Sequence, residues 1–78
     1  MTVKIYGQPG CGNCNTAKVK FHRASAPHEY IELNDQIKQD LTEKYGTLPR
    51  SLPWLEFDGE VHLFAKTDEL IKKVKQIS

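Results

Sequence analysis

Val3-Lys4-Ile5-Tyr6-Gly7-Gln8-Pro9-Gly10-Cys11-Gly12-Asn13-Cys14 is the stretch that decides the fold. Val3 to Tyr6 is apolar and β-prone, and Gly7-Gln8-Pro9-Gly10 is a turn cluster. From Cys14 onward the apolar positions are Cys14, Ala17, Phe21 and Ala24, at steps of three, four and three, which is one stripe of a helix. The only two cysteines of the chain, Cys11 and Cys14, therefore stand between a strand and a helix in a C-x-x-C. Two thiols at this spacing can close a disulfide on each other. A thiolate at a helix start is stabilised by the unpaired backbone N–H groups and the positive end of the dipole.

Outward from this stretch the elements alternate. Ala26-Pro27 should stop the first helix, because the residue before proline is pushed out of the α region. Glu29-Tyr30-Ile31-Glu32-Leu33 reads as a second strand. Asn34 or Asp35 can cap the next helix, which carries Ile37, Leu41 and Tyr45 at steps of four, and Gly46 suits a left-handed terminator. Thr47 to Pro53 is a loop with two prolines. Trp54-Leu55-Glu56-Phe57 and Val61-His62-Leu63-Phe64 flank Asp58-Gly59, the residue pair of a type I′ hairpin. Thr67 is the expected N-cap of a last helix, with Asp68 and Glu69 in its first turn and Leu70, Ile71, Val74 and Ile77 on one face. Lys72, Lys73 and Lys75 load its C-terminal half and read as a solvated helix end. The order β-α-β-α-β-β-α predicts an α/β fold: a four-stranded mixed sheet with helices on both faces and a parallel, right-handed first βαβ unit.

Composition sets the frame. Seventy-eight residues with 38% hydrophobic and 27% charged content suit one small globular domain spanning 1–78. The formal charge of +1 argues against nucleic acid as a partner. No apolar run reaches membrane-spanning length, and Met1 to Tyr6 lacks the apolar core of a secretory signal, so a cytoplasmic location and no membrane partner are expected. In a reducing compartment a close cysteine pair is redox-active or metal-binding more often than a structural staple. His22, His28 and His62 could supplement the cysteines, yet none has finger-like spacing, and each reads first as a surface residue. No metal site is assigned.

The chain resembles a glutaredoxin, or more broadly a thioredoxin-fold dithiol redoxin. Cys11-Gly12-Asn13-Cys14 followed by Ala17-Lys18 is similar to the family's C-x-x-C-x-x-A-K. Ser51-Leu52-Pro53 before Trp54 to Gly59 is similar to its Thr-Val-Pro, strand and Asp-Gly. The resemblance implies the thioredoxin fold and a thiol–disulfide oxidoreductase. Cys11, at or just before the helix, would be the attacking thiol, with a pKa below the free value of about 8.5. Cys14, on the apolar stripe, would be the resolving thiol. The resemblance also implies a cis Leu52-Pro53 bond facing the dithiol, with the Leu52 backbone offered to an extended substrate; a trans bond is the ordinary alternative.

Trp54 and Tyr6 each have two readings, core filler or groove lining. Arg50 is a candidate for receiving a carboxylate, Lys18 reads as surface with a minor role near a thiolate, and Pro49 is taken as an ordinary trans proline. The implied partners are disulfide-containing proteins, with glutathione or thioredoxin reductase as electron source and ribonucleotide reductase as a candidate acceptor. A monomer with no tightly bound cofactor is expected. An iron–sulfur or metal-binding module is the alternative. The chain departs from the family at Gly12-Asn13, where Pro-Tyr is usual, and at Gln8, in a region that usually holds a lysine. It departs again at Leu63 to Thr67, where a Gly-Gly pair is usual. Glycine admits a ligand close to the backbone, so the last departure predicts that glutathione, a possible reductant, is a poor or partial donor.

Overall fold

A computed structural model describes residues 2–48 and 51–77. The expectations for Pro49 and Arg50, and for the side chain of Ile77, lie outside the described residues. The elements are β1 (Val3–Gly7), α1 (Gly12–Arg23), β2 (His28–Glu32), α2 (Asp35–Tyr45), β3 (Trp54–Phe57), β4 (Glu60–His62), a 3₁₀ turn over Phe64–Lys66, and α3 (Thr67–Ile77). The sheet order is β2-β1-β3-β4. β1 and β2 are parallel, with Ile5 opposite Tyr30 and Gly7 opposite Glu32. β1–β3 and β3–β4 are antiparallel. This is the expected mixed sheet of the thioredoxin fold.

Alternation along the strands divides the apolar residues between two faces. Val3, Ile5, Leu55 and Phe57 pack with Ala17 and Phe21 of α1 and Leu70 and Val74 of α3. Tyr6 and Trp54 pack with Leu41 of α2 on the other face. Trp54 and Tyr6 are 8% and 6% exposed, so the core reading holds for both. α1 ends in a Schellman arrangement. Ser25 takes φ +53°, its N–H bonds the His22 carbonyl, and the Ala26 N–H bonds the Phe21 carbonyl. The terminator thus precedes the Ala26-Pro27 pair. Asn34 caps α2, its side chain accepting from the Ile37 N–H at 2.8 Å. Gly46 has φ +80° but ψ −64°, so it leaves α2 with a positive φ but outside the left-handed helical well. Asp58 and Gly59 both take positive φ, as the type I′ hairpin requires.

The chain beyond the hairpin differs from the expectation. β4 stops at His62, and Leu63 and Phe64 leave the strand. The Phe64 ring packs against the α1–α3 core from the 3₁₀ turn, while Leu63 is left 48% exposed. Burying the larger ring outweighs extending an edge strand by two residues. Thr67 is not the N-cap: it lies at helical φ −53°, ψ −53°, continuous with the 3₁₀ turn, and is buried. Its hydroxyl donates to the Phe64 carbonyl at 2.5 Å.

Candidate active site

The approach to the cysteines is a tight turn. The Cys11 N–H bonds the Gln8 carbonyl at 3.2 Å, with Pro9 second and Gly10 third at φ +81°. Pro followed by positive-φ Gly is the residue pattern of a type II turn. Gly7, read from sequence as part of this turn, is instead the last residue of β1. The turn delivers Cys11 to the N-cap of α1 in extended geometry, φ −84° and ψ 109°. Its sulfur accepts the Cys14 N–H at 3.2 Å, and its carbonyl accepts the Asn15 N–H. The position expected of Cys11 is the one observed. Cys11 is half-buried and Cys14 fully buried. The two are joined in a disulfide, with Cα atoms 5.3 Å apart.

The floor under Cys14 is Gly7. A Cβ placed on Gly7 would lie 2.8 Å from Cys14 Cβ, 2.9 Å from Cys14 Sγ and 2.7 Å from the Tyr30 hydroxyl. Only a residue without a side chain lets α1 settle this close to β1. Lys18, one turn beyond Cys14, holds its ammonium 4.8 Å from the centroid of the Tyr30 ring. Gly7 and Tyr30 carried no signal in the sequence. Gly7 follows a strand and precedes Gln-Pro-Gly, so its turn reading was the natural one.

Leu52-Pro53 is cis. Pro53 is fully buried and Leu52 half-buried, packed on the α2 face. Tyr6, near the end of β1, pairs with Trp54 at the start of β3. Pro53 therefore enters the sheet at the end from which the chain leaves for Cys11. Leu52 and Pro53 thus precede β3 at the end of the sheet where β1 ends and the chain turns toward Cys11 and Cys14. A surface groove of about 580 Å³ is lined by Tyr45, Leu48, Val61 and Leu63 among others, and its lining includes none of Cys11, Cys14, Leu52 and Pro53.

The histidines do not join the cysteines. His22 is exposed. His28 is half-buried, its ring 5.7 Å from that of Phe21 and its Nδ1 donating to the Ala26 carbonyl at 2.8 Å. His62 is half-buried beside Glu60, at 3.6 Å. The surface reading fits His22 alone; the other two lie at the ends of strands that close over the α1–α3 core. Among the described residues no three Cys, His, Asp or Glu side chains converge as a metal site.

One polar cluster had no forerunner in the sequence reading. Glu56 points inward on the α2 face, 8% exposed. It accepts from the Tyr6 hydroxyl at 2.9 Å, from the Tyr45 hydroxyl, and from Lys44 Nζ at 3.2 Å. Burial pushes its carboxyl up, but the three donors outweigh that and hold its pKa below the ordinary 4.5. Burial and the facing carboxylate raise the Tyr6 phenol well above its usual range, and burial and Glu56 raise that of Tyr45.

A strand, a tight turn and a helix that opens on a C-x-x-C disulfide, on a β2-β1-β3-β4 mixed sheet with a cis-proline at the same end, define a thioredoxin-fold dithiol redoxin. A family model described as Glutaredoxin matches residues 3–62. The chain belongs to the glutaredoxin family, and the Cys11–Cys14 pair supports a thiol–disulfide redox function. The match ends at His62, just before the segment where the sequence departs from the family pattern. No curated protein matches the chain. No helix among the described residues is long and apolar enough to cross a membrane.

Proposed function

We propose that the protein is a dithiol thiol–disulfide oxidoreductase in which Cys11 attacks and Cys14 resolves. The observation that carries the assignment is the half-buried Cys11 at the α1 N-cap, its sulfur accepting a backbone N–H from inside the helix. The same amide stabilises a thiolate there. Cys11 as thiolate bonds one sulfur of a substrate disulfide and displaces the other as thiolate. Cys14 then loses its proton and bonds Cys11 Sγ, and the second substrate sulfur leaves as thiolate. Two electrons pass to the substrate, and the protein ends as the Cys11–Cys14 disulfide. Leu52 and Pro53 line the approach, where an extended substrate segment pairs with the Leu52 backbone.

The substrates in this reading are protein disulfides and glutathione mixed disulfides, with ribonucleotide reductase a candidate acceptor. The protein works as a cytoplasmic monomer with no tightly bound cofactor. Glutathione is the weaker electron source and thioredoxin reductase the stronger. The segment that is Gly-Gly in the family is here a 3₁₀ turn with the partly buried Phe64 side chain packed against the core. The acidic residues after it are already paired: Glu69 with Lys66 at 3.2 Å and Asp68 with Lys20 at 3.4 Å. A glutathione amine would have to compete with both lysines.

The test is reduction of a model protein disulfide. Cys11→Ser should abolish it, whereas Cys14→Ser should stall as a trapped mixed disulfide. Near-full activity of Cys11→Ser refutes the assignment of roles. Recycling by glutathione with glutathione reductase, run beside recycling by thioredoxin reductase, tests the electron source. Fast turnover in the glutathione arm refutes that part.

A further inference from the structure

Cys14 is fully buried, and burial disfavours a thiolate. Yet the resolving step needs one. A buried thiol that must ionise requires a hydrogen-bond donor that follows it when the disulfide opens. Cys14 Sγ and the Tyr30 hydroxyl lie 2.9 and 2.7 Å from one point, the position a Cβ on Gly7 would take, and are not hydrogen-bonded to each other in the disulfide form. Tyr30 is opposite Ile5 in the β1–β2 register, so its side chain stands on the α1–α3 face and leans along it toward Gly7. The Lys18 ammonium over the ring holds it from the helix side and draws electron density from the phenol.

We propose that Tyr30 is the positioning residue of the resolving thiol. When the Cys11–Cys14 bond is open, its hydroxyl donates a hydrogen bond to Cys14 Sγ over Gly7 and favours the thiolate that closes the cycle. The inference rests on the dithiol reading above. Nothing transfers to Tyr30: the phenol keeps its proton, and the Cys14 proton goes to solvent or to the departing thiolate. The titratable groups placed around Cys14 are Cys11 at the start of α1, Tyr30 from β2 and, above the ring, Lys18; β1 presents Gly7.

The experiment follows the Cys14 Cβ NMR shift against pH in a Cys11→Ser background, so only one thiol titrates. Tyr30→Phe keeps the ring, its packing and the Lys18 contact, and removes the hydroxyl alone. It should raise the Cys14 midpoint by about one pH unit, the scale of a hydrogen bond to a charged group. An unmoved midpoint overturns the proposal. Lys18→Met is the companion variant. A shift with Lys18→Met and none with Tyr30→Phe assigns the effect to the ammonium and also overturns it. The titration reads the thiol whether or not the protein turns over. Failure of the dithiol reading shows separately, as retained activity of Cys11→Ser.

Discussion

Gly7 leaves a space that is filled from two sides, by Cys14 of α1 and Tyr30 of β2. At 2.7–2.9 Å a methyl group there meets atoms that cannot yield cheaply, because Cys14 Cβ is fixed to the helix backbone. Gly7→Ala should therefore lift the start of α1 and destabilise the reduced protein by about 1–3 kcal/mol. Urea denaturation with reductant present measures this, and an unchanged midpoint at unchanged slope would refute the close-packing account. This residue also marks where sequence reading fell short. Cys11 and Cys14 were legible because spacing and the strand-to-helix change are local properties. The role of Gly7 depends on a side chain from β2, more than twenty positions away in the chain, and no local pattern carries that.

Element boundaries were legible where a side chain or backbone constraint acts locally, and illegible where packing overrides it. Asn34 caps α2 and Asp58-Gly59 turns the hairpin as read, because each satisfies its own neighbours. β4 was read two residues too long, since Leu63 and Phe64 are as β-prone as Val61 and His62. The core space that turns Phe64 inward is invisible in that run. Thr67 lost its capping role for the same reason, with the 3₁₀ turn feeding straight into α3. The end of α1 carries the prediction at this scale. Ser25 occupies the C′ position at φ +53°, where an L-residue is disfavoured by about 1–2 kcal/mol and glycine is not. Glycine also frees the unfolded chain, which takes back about 0.5–1 kcal/mol. Ser25→Gly should thus raise stability by about 0.5–1 kcal/mol, which for a domain of this size is a few degrees in Tm. A lower Tm would refute the Schellman assignment.

The two apolar cores lie on opposite faces of the sheet, and on the α2 face the largest polar intrusion is Glu56. It ties the C-terminal end of α2, through Lys44 and Tyr45, to the centre of β3 and to Tyr6 of β1. The sequence hid this, since Glu56 in Trp-Leu-Glu-Phe reads as the solvent-facing half of an alternation, whereas both faces of this strand are covered. The cluster makes whole-molecule stability depend on pH in a stated direction. The folded Glu56 pKa is below 4.5, so its contribution is complete above 4.5 and fades as pH falls through the folded value. The Tyr6 and Tyr45 phenols are raised above 10.0 and the Lys44 ammonium above 10.5, so their contributions are complete below those values and fade as pH rises past them. Stability should form a plateau between about 5 and 9 with losses on both sides. Glu56→Gln keeps the shape and one acceptor oxygen, but removes the charge and turns the other oxygen into an NH2 that faces a donor. It should lower the plateau by about 1–3 kcal/mol. It should also flatten the acid flank and soften the alkaline one, where the carboxylate acts on the phenols beside the larger effect of burial. Urea midpoints from pH 3 to 11 for both proteins decide it. Parallel curves, offset or not, would show that Glu56 is not the group that sets the pH limits of the fold.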